Sequence, residues 1–164
     1  MNGPEELYRL LDALQIRFQY HEHPPVATVE EAMEYWKDVP ATHCKNIFLR
    51  NHKGDRHYLV ILECNQKVDI HDLEKRLRQG KLSFASEKRL KQYLGLTPGS
   101  VSPFGLINDQ TKHVYLFIDE NLQKADIISF HPNINTASLY ISYSDFLKFL
   151  SHCGNRWEYV RLYE

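Results

Sequence analysis

Apolar residues recur every three or four positions in several parts of the chain, a spacing that places them on one side of a helix. The first example is the leucine series at positions 7, 10, 11 and 14, which follows Pro4, a residue favoured at the start of a helix. Thr28, Asp69 and Ser86 each stand where a side-chain oxygen can cap a further helix. Spacing and caps together predict five helices, over residues 5–15, 28–36, 69–78, 86–94 and 144–152.

Between these helices lie short apolar or alternating runs that are typical of strands. A turn-rich segment, residues 51–55, joins two of them into a hairpin, whereas helices separate others. We therefore predict an α/β (α+β) protein with a mixed, mainly antiparallel sheet and helices packed against it. The seven predicted strands cover residues 18–22, 44–50, 58–63, 113–119, 127–130, 138–142 and 157–162.

A loop rich in proline and glycine, residues 97–106, interrupts this pattern near the middle of the chain. It contains Pro98, Gly99, Pro103 and Gly105. Proline fixes φ and glycine permits close approach of the backbone, so the loop has a defined shape. It is either a rigid connection or a set of backbone N–H groups aimed at a carbonyl, a phosphate or a developing oxyanion.

Length and composition predict one globular domain over residues 1–164. The 164 residues suffice for one core, and 43% hydrophobic and 25% charged residues are ordinary values for a folded domain. The apolar runs are too short to span a membrane, and three widely spaced cysteines favour reduced thiols. We therefore expect a cytoplasmic protein.

The net charge is −1, but the charges are unevenly distributed. Residues 74–91, here called the basic segment, contain two acidic and seven basic residues. Such a segment on an otherwise acidic protein can bind a few phosphates, or it can be the solvated side of two amphipathic helices. Its basic residues are Lys75, Arg76, Arg78, Lys81, Lys88, Arg89 and Lys91.

Three polar residues next to predicted strands are candidates for chemistry. Lys45 and Asn46 directly precede an apolar run, where Lys45 can neutralise a phosphate or carboxylate and Asn46 can both donate and accept hydrogen bonds. His131 follows a strand-like run and precedes Pro132, which favours an extended backbone at the histidine. It can serve as acid, base or hydrogen-bond donor, although solvated side chains would explain all three residues.

Other chemistries find little support in the sequence. His21, His23 and the pair His43–Cys44 do not form a recognised zinc motif, so no metal or other cofactor is expected. Phosphate-binding and dinucleotide-binding glycine motifs are also missing, which disfavours nucleotide triphosphate or NAD chemistry.

Four segments in this order resemble the YbaK/ProX superfamily of prolyl-tRNA editing domains, within it the freestanding ProXp-ala type of alanyl-tRNA(Pro) deacylase. The resemblance covers nearly the whole chain and is carried by residues 24–32, 44–49, 99–106 and 131–137. It implies a mixed sheet that curls toward a barrel, with helices around it. It also implies metal-independent hydrolysis of the ester between a wrong amino acid and the terminal ribose of tRNA(Pro).

The resemblance also implies roles for individual residues. Lys45 matches a lysine that holds the 3′-terminal nucleotide and supports the charge formed when water attacks, and Asn46 and His131 match residues that position the substrate. The loop Gly99, Ser100, Val101, Ser102 and Pro103 matches a GxxxP loop whose backbone amides face the ester. Cys44 departs from the threonine-like residue expected before the lysine.

The implied substrate defines a small pocket and a contact surface for tRNA. A synthetase site sized for proline rejects alanine by only about 1–3 kcal/mol, so a second, small pocket must remove the error. We place Tyr20, Thr28 and Phe130 around this pocket. We place acceptor-stem phosphates against the basic segment at Lys81, Lys88, Arg89 and Lys91.

The partner implied by the resemblance is the acceptor end of a mischarged tRNA(Pro), without membrane or DNA. Because the chain contains no synthetase catalytic domain, it would act in trans, with prolyl-tRNA synthetase or another translation factor as an expected helper. Three alternatives stay open at this point. They are a Cys-tRNA(Pro) deacylase, a non-catalytic tRNA-binding module and a sensor of a small free amino acid.

Overall fold

A computed structural model of the chain describes residues 1–25, 34 and 40–163. The predicted helix over residues 28–36, with its cap at Thr28, lies outside the described residues. Helix α1 spans Glu5–Ala13, α2 Ile70–Leu77, α3 Glu87–Leu94 and α4 Tyr143–Cys153. Two 3₁₀-helices span Pro103–Asn108 and Glu120–Lys124.

The predicted helix caps at Asp69 and Ser86 are confirmed. Asp69 accepts a hydrogen bond from the backbone N–H of Asp72, and Ser86 accepts one from that of Arg89. These bonds satisfy donors that the first helical turn leaves unpaired. Gly95 ends α3 in the left-handed conformation, with φ +67°, which glycine adopts without steric cost.

The described residues contain eight strands. Their bounds are β1 Gln19–Glu22, β2 Thr42–Asn51, β3 His57–Glu63, β4 Leu82–Phe84, β5 Tyr115–Asp119, β6 Ile127–Phe130, β7 Ala137–Ser142 and β8 Trp157–Val160. They form one sheet in the order β1-β7-β6-β2-β3-β5-β8, with β4 also paired to β2. Strand β4 was not predicted.

Strand β2 is the centre of this sheet. It pairs antiparallel with β3 along seven residues and parallel with β6 at Thr42–Ile128 and His43–Ser129. Farther along the same edge, it pairs antiparallel with β4 from Leu49 to Asn51. The intervening stretch of that edge, residues 44–47, has no ladder partner among the described residues.

Side chains that alternate along β2 enter two separate cores, one on each face of the sheet. Phe48 belongs to the major core, which α1, α3 and α4 cover, and which contains Phe104, Phe130 and Phe146. Leu49 belongs to the minor core, which α2 covers through Leu73 and Leu77. The basic segment is therefore divided, because α2 and α3 pack on opposite faces of the sheet.

Among the described residues, none of the helices has both the length and the apolar character needed to cross a membrane.

Candidate functional site

The loop between α3 and the first 3₁₀-helix has the fixed shape that its sequence predicts. The backbone N–H of Ser100 donates to the carbonyl of Thr97 over 3.1 Å, and Gly99 between them has φ +88°. This is the geometry of a tight turn that requires positive φ at its third residue. Ser102 is buried, and its hydroxyl accepts from the backbone N–H of Phe104 over 3.0 Å.

The residues that follow Pro103 tie this loop to the major core. The ring of Phe104 lies edge-to-face on Phe130, with 5.8 Å between centroids, and on Phe149, with 5.2 Å. Gly105 lies so close to the end of α3 that an added Cβ would be 2.7 Å from Leu96 Cδ1. The loop is therefore held from two sides, by β6 and by α3.

His131 begins the connection from β6 to β7, and Asn135 in the same connection lies next to the loop. The atom nearest to a Cβ built on Gly99 is Nδ2 of Asn135, at 4.0 Å. His131 Nδ1 lies 2.9 Å from the carbonyl oxygen of Ala137. A carbonyl only accepts, so Nδ1 carries the hydrogen.

The burial of His131 and the approach of His23 lower the pKa of His131, although the hydrogen bond to Ala137 raises it. Burial has the largest effect, so the neutral ring predominates at neutral pH. With Nδ1 protonated, Nε2 carries a lone pair that can accept a hydrogen bond.

Lys45 lies on β2 two residues beyond the last pair of the β2–β6 ladder, and His131 is the first residue after β6. The two strands pair in parallel at Thr42–Ile128, and Lys45 and His131 each come three residues later. Burial lowers the pKa of the Lys45 ammonium, Cys64 opposes this shift, and Lys67 adds to it. A partly desolvated ammonium attracts an anionic group more strongly than a solvated one.

Asn46 lies next to Lys45 and pairs with Ile61 of β3, on the stretch of β2 whose other edge has no ladder partner among the described residues. Its side chain alternates to the opposite face from that of Lys45. The Asn46 Oδ1 atom is buried and makes no hydrogen bond among the described residues. A buried acceptor without a donor is costly, so this atom is a candidate contact for a ligand.

A row of polar side chains on β6 and β7 was missed from the sequence. Ser129 hydrogen-bonds Tyr140, whose ring packs edge-on against His43 with 5.7 Å between centroids. Ser138 Oγ lies 3.1 Å from His23 Nε2, and the His23 ring is 6.0 Å from that of His131. The sequence pattern that could have predicted this row is the alternation of these polar residues with the core residues Ile128, Phe130, Leu139 and Ile141.

The structure separates two of the predicted pocket residues from this polar row. Phe130 is 3% exposed, and its ring packs between Phe104 and Phe146 in the major core. Tyr20 packs at the margin of the same core, where its hydroxyl accepts from the backbone N–H of Asn2 and donates to Glu22. Thr28 lies outside the described residues.

The predicted tRNA contacts differ in their surroundings. Lys81, Lys88 and Lys91 are exposed. The guanidinium of Arg89 instead donates to the carbonyl of Gly54 over 2.8 Å and lies 3.0 Å from His57 Nε2. Arg89 thus fastens α3 to the β2–β3 turn, which leaves less of its hydrogen-bonding capacity for phosphate.

Within residues 1–25, 34 and 40–163, we find no group of three histidine, cysteine or acidic side chains placed to hold a metal ion.

Comparison with known proteins identifies the family of this chain. The family model described as the aminoacyl-tRNA editing domain matches residues 23–149, a range that contains Lys45, Asn46, the Gly99–Pro103 loop and His131. The chain belongs to the aminoacyl-tRNA editing domain family. Editing of this kind hydrolyses the ester that joins an amino acid to tRNA, so the protein is an aminoacyl-tRNA deacylase.

Two relatives are similar to this chain over nearly its whole length. The prolyl-tRNA editing protein ProX of Acetoanaerobium sticklandii is 40% identical over 162 residues, which are 99% of this chain and 99% of the ProX chain. The prolyl-tRNA synthetase associated domain-containing protein 1 of Mus musculus is 32% identical over 153 residues, which are 92% of this chain and 90% of the mouse protein.

The fold of the editing protein is shared with solved structures. One of them, a candidate trans-editing enzyme for prolyl-tRNA synthetase, superimposes with a TM-score of 0.69 at 18% identity, over 98% of this chain and 99% of the other. The predicted fold class, a mixed and mainly antiparallel sheet with packed helices, is confirmed.

Proposed function

We propose that the protein hydrolyses the aminoacyl ester of mischarged tRNA(Pro), with Ala-tRNA(Pro) as its main substrate. One observation supports this proposal: Lys45 and His131 each follow the β2–β6 ladder by two residues, and Gly99 of the loop lies next to Asn135 in the segment that follows His131. In this proposal the Lys45 cation, the His131 acceptor and the preorganised loop act on one substrate.

Each of these groups has a part in ester hydrolysis. Water attacks the carbonyl carbon, the carbonyl oxygen takes up negative charge, and the bond to the ribose oxygen then breaks. The Lys45 ammonium supports the negative charge, and so do backbone N–H groups of the loop. The proton released by water goes to the ribose oxygen as the free amino acid leaves.

Two further groups would position the substrate. The buried Asn46 Oδ1 accepts from the α-ammonium of the amino acid, which gives this atom the donor that it otherwise lacks. Nε2 of His131 accepts from a ribose hydroxyl and so orients the terminal adenosine. This arrangement needs no serine or cysteine nucleophile, because a substrate hydroxyl helps to activate the water.

The preference for alanine rests on size. A pocket that excludes proline but admits alanine complements a synthetase site that cannot reject the smaller amino acid. Phe130 would influence the size of this pocket indirectly, because its contact with Phe104 fixes the distance between the loop and β6. A deacylase for Cys-tRNA(Pro) is the nearest alternative, since a thiol adds little volume to alanine.

The substrate also needs a surface for its acceptor stem. Lys81, Lys88 and Lys91 are exposed on or near α3, whose C-terminus leads into the Gly99–Pro103 loop. Phosphates of the stem would contact these lysines while the terminal nucleotide occupies the site. Prolyl-tRNA synthetase, or another translation factor, would deliver the tRNA.

The decisive experiment measures deacylation of Ala-tRNA(Pro), Cys-tRNA(Pro) and Pro-tRNA(Pro) by the wild-type protein, Lys45→Ala and Lys67→Ala. We expect fast hydrolysis of the alanyl ester alone, its loss in Lys45→Ala, and its retention in Lys67→Ala, the matched lysine control. Faster hydrolysis of the cysteinyl ester would assign the protein to the alternative. If no ester is hydrolysed faster than in buffer, the proposal is wrong.

A further inference from the structure

An aromatic side chain on β4 is left in solvent. Phe84 is 66% exposed, whereas its neighbour on the same strand face, Leu82, is 3% exposed and belongs to the minor core. Among the described residues, the other large apolar side chains with substantial exposure are Met1, at the start of the chain, and Ile127. A large, solvent-exposed apolar side chain indicates a binding surface when it lies beside a functional site.

The strand register relates Phe84 to the proposed site. Phe84 pairs with Leu49 of β2, so the two side chains project from the same face of the sheet. Lys45 projects from that face as well, four residues earlier on β2, a distance of about 13 Å along the strand. Between them runs the edge of β2 that has no ladder partner among the described residues.

The charges around Phe84 favour an anionic ligand. Lys81 lies just before β4 and Lys88 in the first turn of α3, and both are exposed. Residues 81–88 contain these two lysines and one acidic residue, Glu87. An exposed aromatic residue with cations nearby in the chain is a combination with which proteins bind single-stranded nucleic acid, because a ring can stack on a base while cations contact phosphates.

We propose that Phe84 is a stacking platform for an unpaired base of the tRNA 3′ end, upstream of the terminal adenosine whose ester lies at Lys45. This inference rests on the proposed function. A stacked strand advances about 3.4 Å per nucleotide, and an extended one advances farther, so about 13 Å corresponds to at most four nucleotides. Either of the two cytidines before the terminal adenosine is within this reach.

Phe84 would act on binding rather than on the ester. Stacking holds the strand in register, so that the ester arrives at Lys45, but the ring does not touch the reacting atoms. Loss of the ring should therefore raise KM and leave kcat nearly unchanged.

The test uses an acceptor-stem minihelix of tRNA(Pro) in which fluorescent pyrrolo-cytidine replaces one or the other of the two cytidines. Stacking on an aromatic ring quenches this base. We expect quenching at one position with the wild-type protein and with Phe84→Trp, and its loss with Phe84→Ala and Phe84→Leu. Leucine is the matched control, because it keeps an apolar side chain but has no π face.

Kinetics with Ala-tRNA(Pro) supply the second readout. We expect Phe84→Ala and Phe84→Leu to raise KM at least about fivefold, the lower range for loss of one base–aromatic contact, with kcat within about twofold of the wild type. Quenching that Phe84→Ala leaves unchanged, or an unchanged KM, would overturn the inference and leave the ring as a contact for a protein partner. Absence of quenching at both positions in the wild type would also overturn it.

The two proposals fail in different ways. A wild-type protein that quenches the minihelix but hydrolyses no ester contradicts the proposed function and supports the platform. A protein that hydrolyses the alanyl ester with the same KM in all Phe84 variants supports the proposed function and contradicts the platform.

Discussion

Phe104 and Phe130 pack edge-to-face with their ring centroids 5.8 Å apart, and this contact joins the two segments that flank the proposed site. Phe104 directly follows the Gly99–Pro103 loop, and Phe130 directly precedes His131. Each residue lies in the major core, so packing energy holds the loop and the histidine at a fixed separation.

The first prediction concerns this contact. We expect Phe104→Leu to lower the free energy of unfolding by less than the ~3–5 kcal/mol typical of a phenylalanine-to-alanine change, and to lower kcat as well, because the loop shifts. Phe117→Leu is the control, since Phe117 is equally buried but lies in the minor core. Urea unfolding and deacylation measure the two effects, and an equal fall in kcat for both variants would contradict the prediction.

The second prediction concerns the backbone of the loop. Gly99 has φ +88°, and a Cβ there has room, with its nearest neighbour 4.0 Å away. Gly99→Ala should therefore cost about 1–2 kcal/mol through backbone strain, and it should also impair deacylation by turning the loop amides. Gly80→Ala offers a matched control, because Gly80 has φ +80° with open space around it.

Stability and activity separate these two glycine variants. Urea midpoints should fall by similar amounts, whereas only Gly99→Ala should lose activity. Full activity in Gly99→Ala would show that the loop amides do not contact the reacting ester.

Much of this fold was predictable because its elements carry strong local signals. Asp69 and Ser86 mark helix starts, and the alternating runs give the remaining strands. Strand β4 escaped prediction because it has three residues, too few to show a period, and it exists through its pairing with β2. Sequence patterns report local preference, and β4 depends on a partner more than thirty residues away.

The third prediction concerns Lys45 and stability. Burial lowers the pKa of its ammonium, so the folded state disfavours the charged form that the unfolded chain carries at neutral pH. Removal of the charge with Lys45→Met should therefore leave the urea midpoint at pH 7 unchanged or raise it, while deacylation is lost. A clearly lower midpoint would mean that Lys45 serves the fold rather than the site.

The fourth prediction concerns pH and His43. Burial lowers the pKa of His43 from its usual 6.5 to about 4. As pH falls through that interval, the unfolded chain binds a proton that the folded protein does not, so stability is lost by up to about 1.4 kcal/mol per pH unit. His57, with a pKa of about 4, adds a similar loss.

Urea unfolding at pH 7, 6 and 5 measures this loss of stability. His43→Phe removes one of the two groups and keeps a ring against Tyr140, so its stability should fall less steeply with acid than that of the wild type. Equal slopes for the two proteins would contradict the assignment to His43.

The fifth prediction concerns the basic segment, whose helices α2 and α3 pack on opposite faces of the sheet. The double variant Lys88→Glu and Lys91→Glu, on α3, should weaken binding of tRNA(Pro) and reduce its salt dependence by about one phosphate contact per lysine lost. The double variant Lys75→Glu and Arg78→Glu, on or next to α2, makes the same charge change on the opposite face. Equal effects of the two double variants would indicate non-specific attraction.

The site was less predictable than the fold, for reasons visible at Phe130. Its position beside His131 suggested a pocket residue, but neighbours on a strand point to opposite faces, and Phe130 enters the core. The same alternation would have revealed Ser129, Ser138 and Tyr140 as a polar row. No single-sequence signal, however, pairs residues 42–43 with residues 128–129, and that pairing joins the two strands just before Lys45 and His131.

This pairing between β2 and β6 also determines the stage of chain synthesis at which the proposed site can form. The paired residues of the two strands are more than eighty positions apart in the chain, and β6 pairs in turn with β7, which leads into α4. Contacts that distant in sequence form late, after the loop-closure entropy of the intervening chain has been overcome. An incomplete chain that ends before β6 would lack His131 and a strand that pairs with β2, so, on the proposed function, a nascent chain gains hydrolytic activity only after β6 has been synthesised.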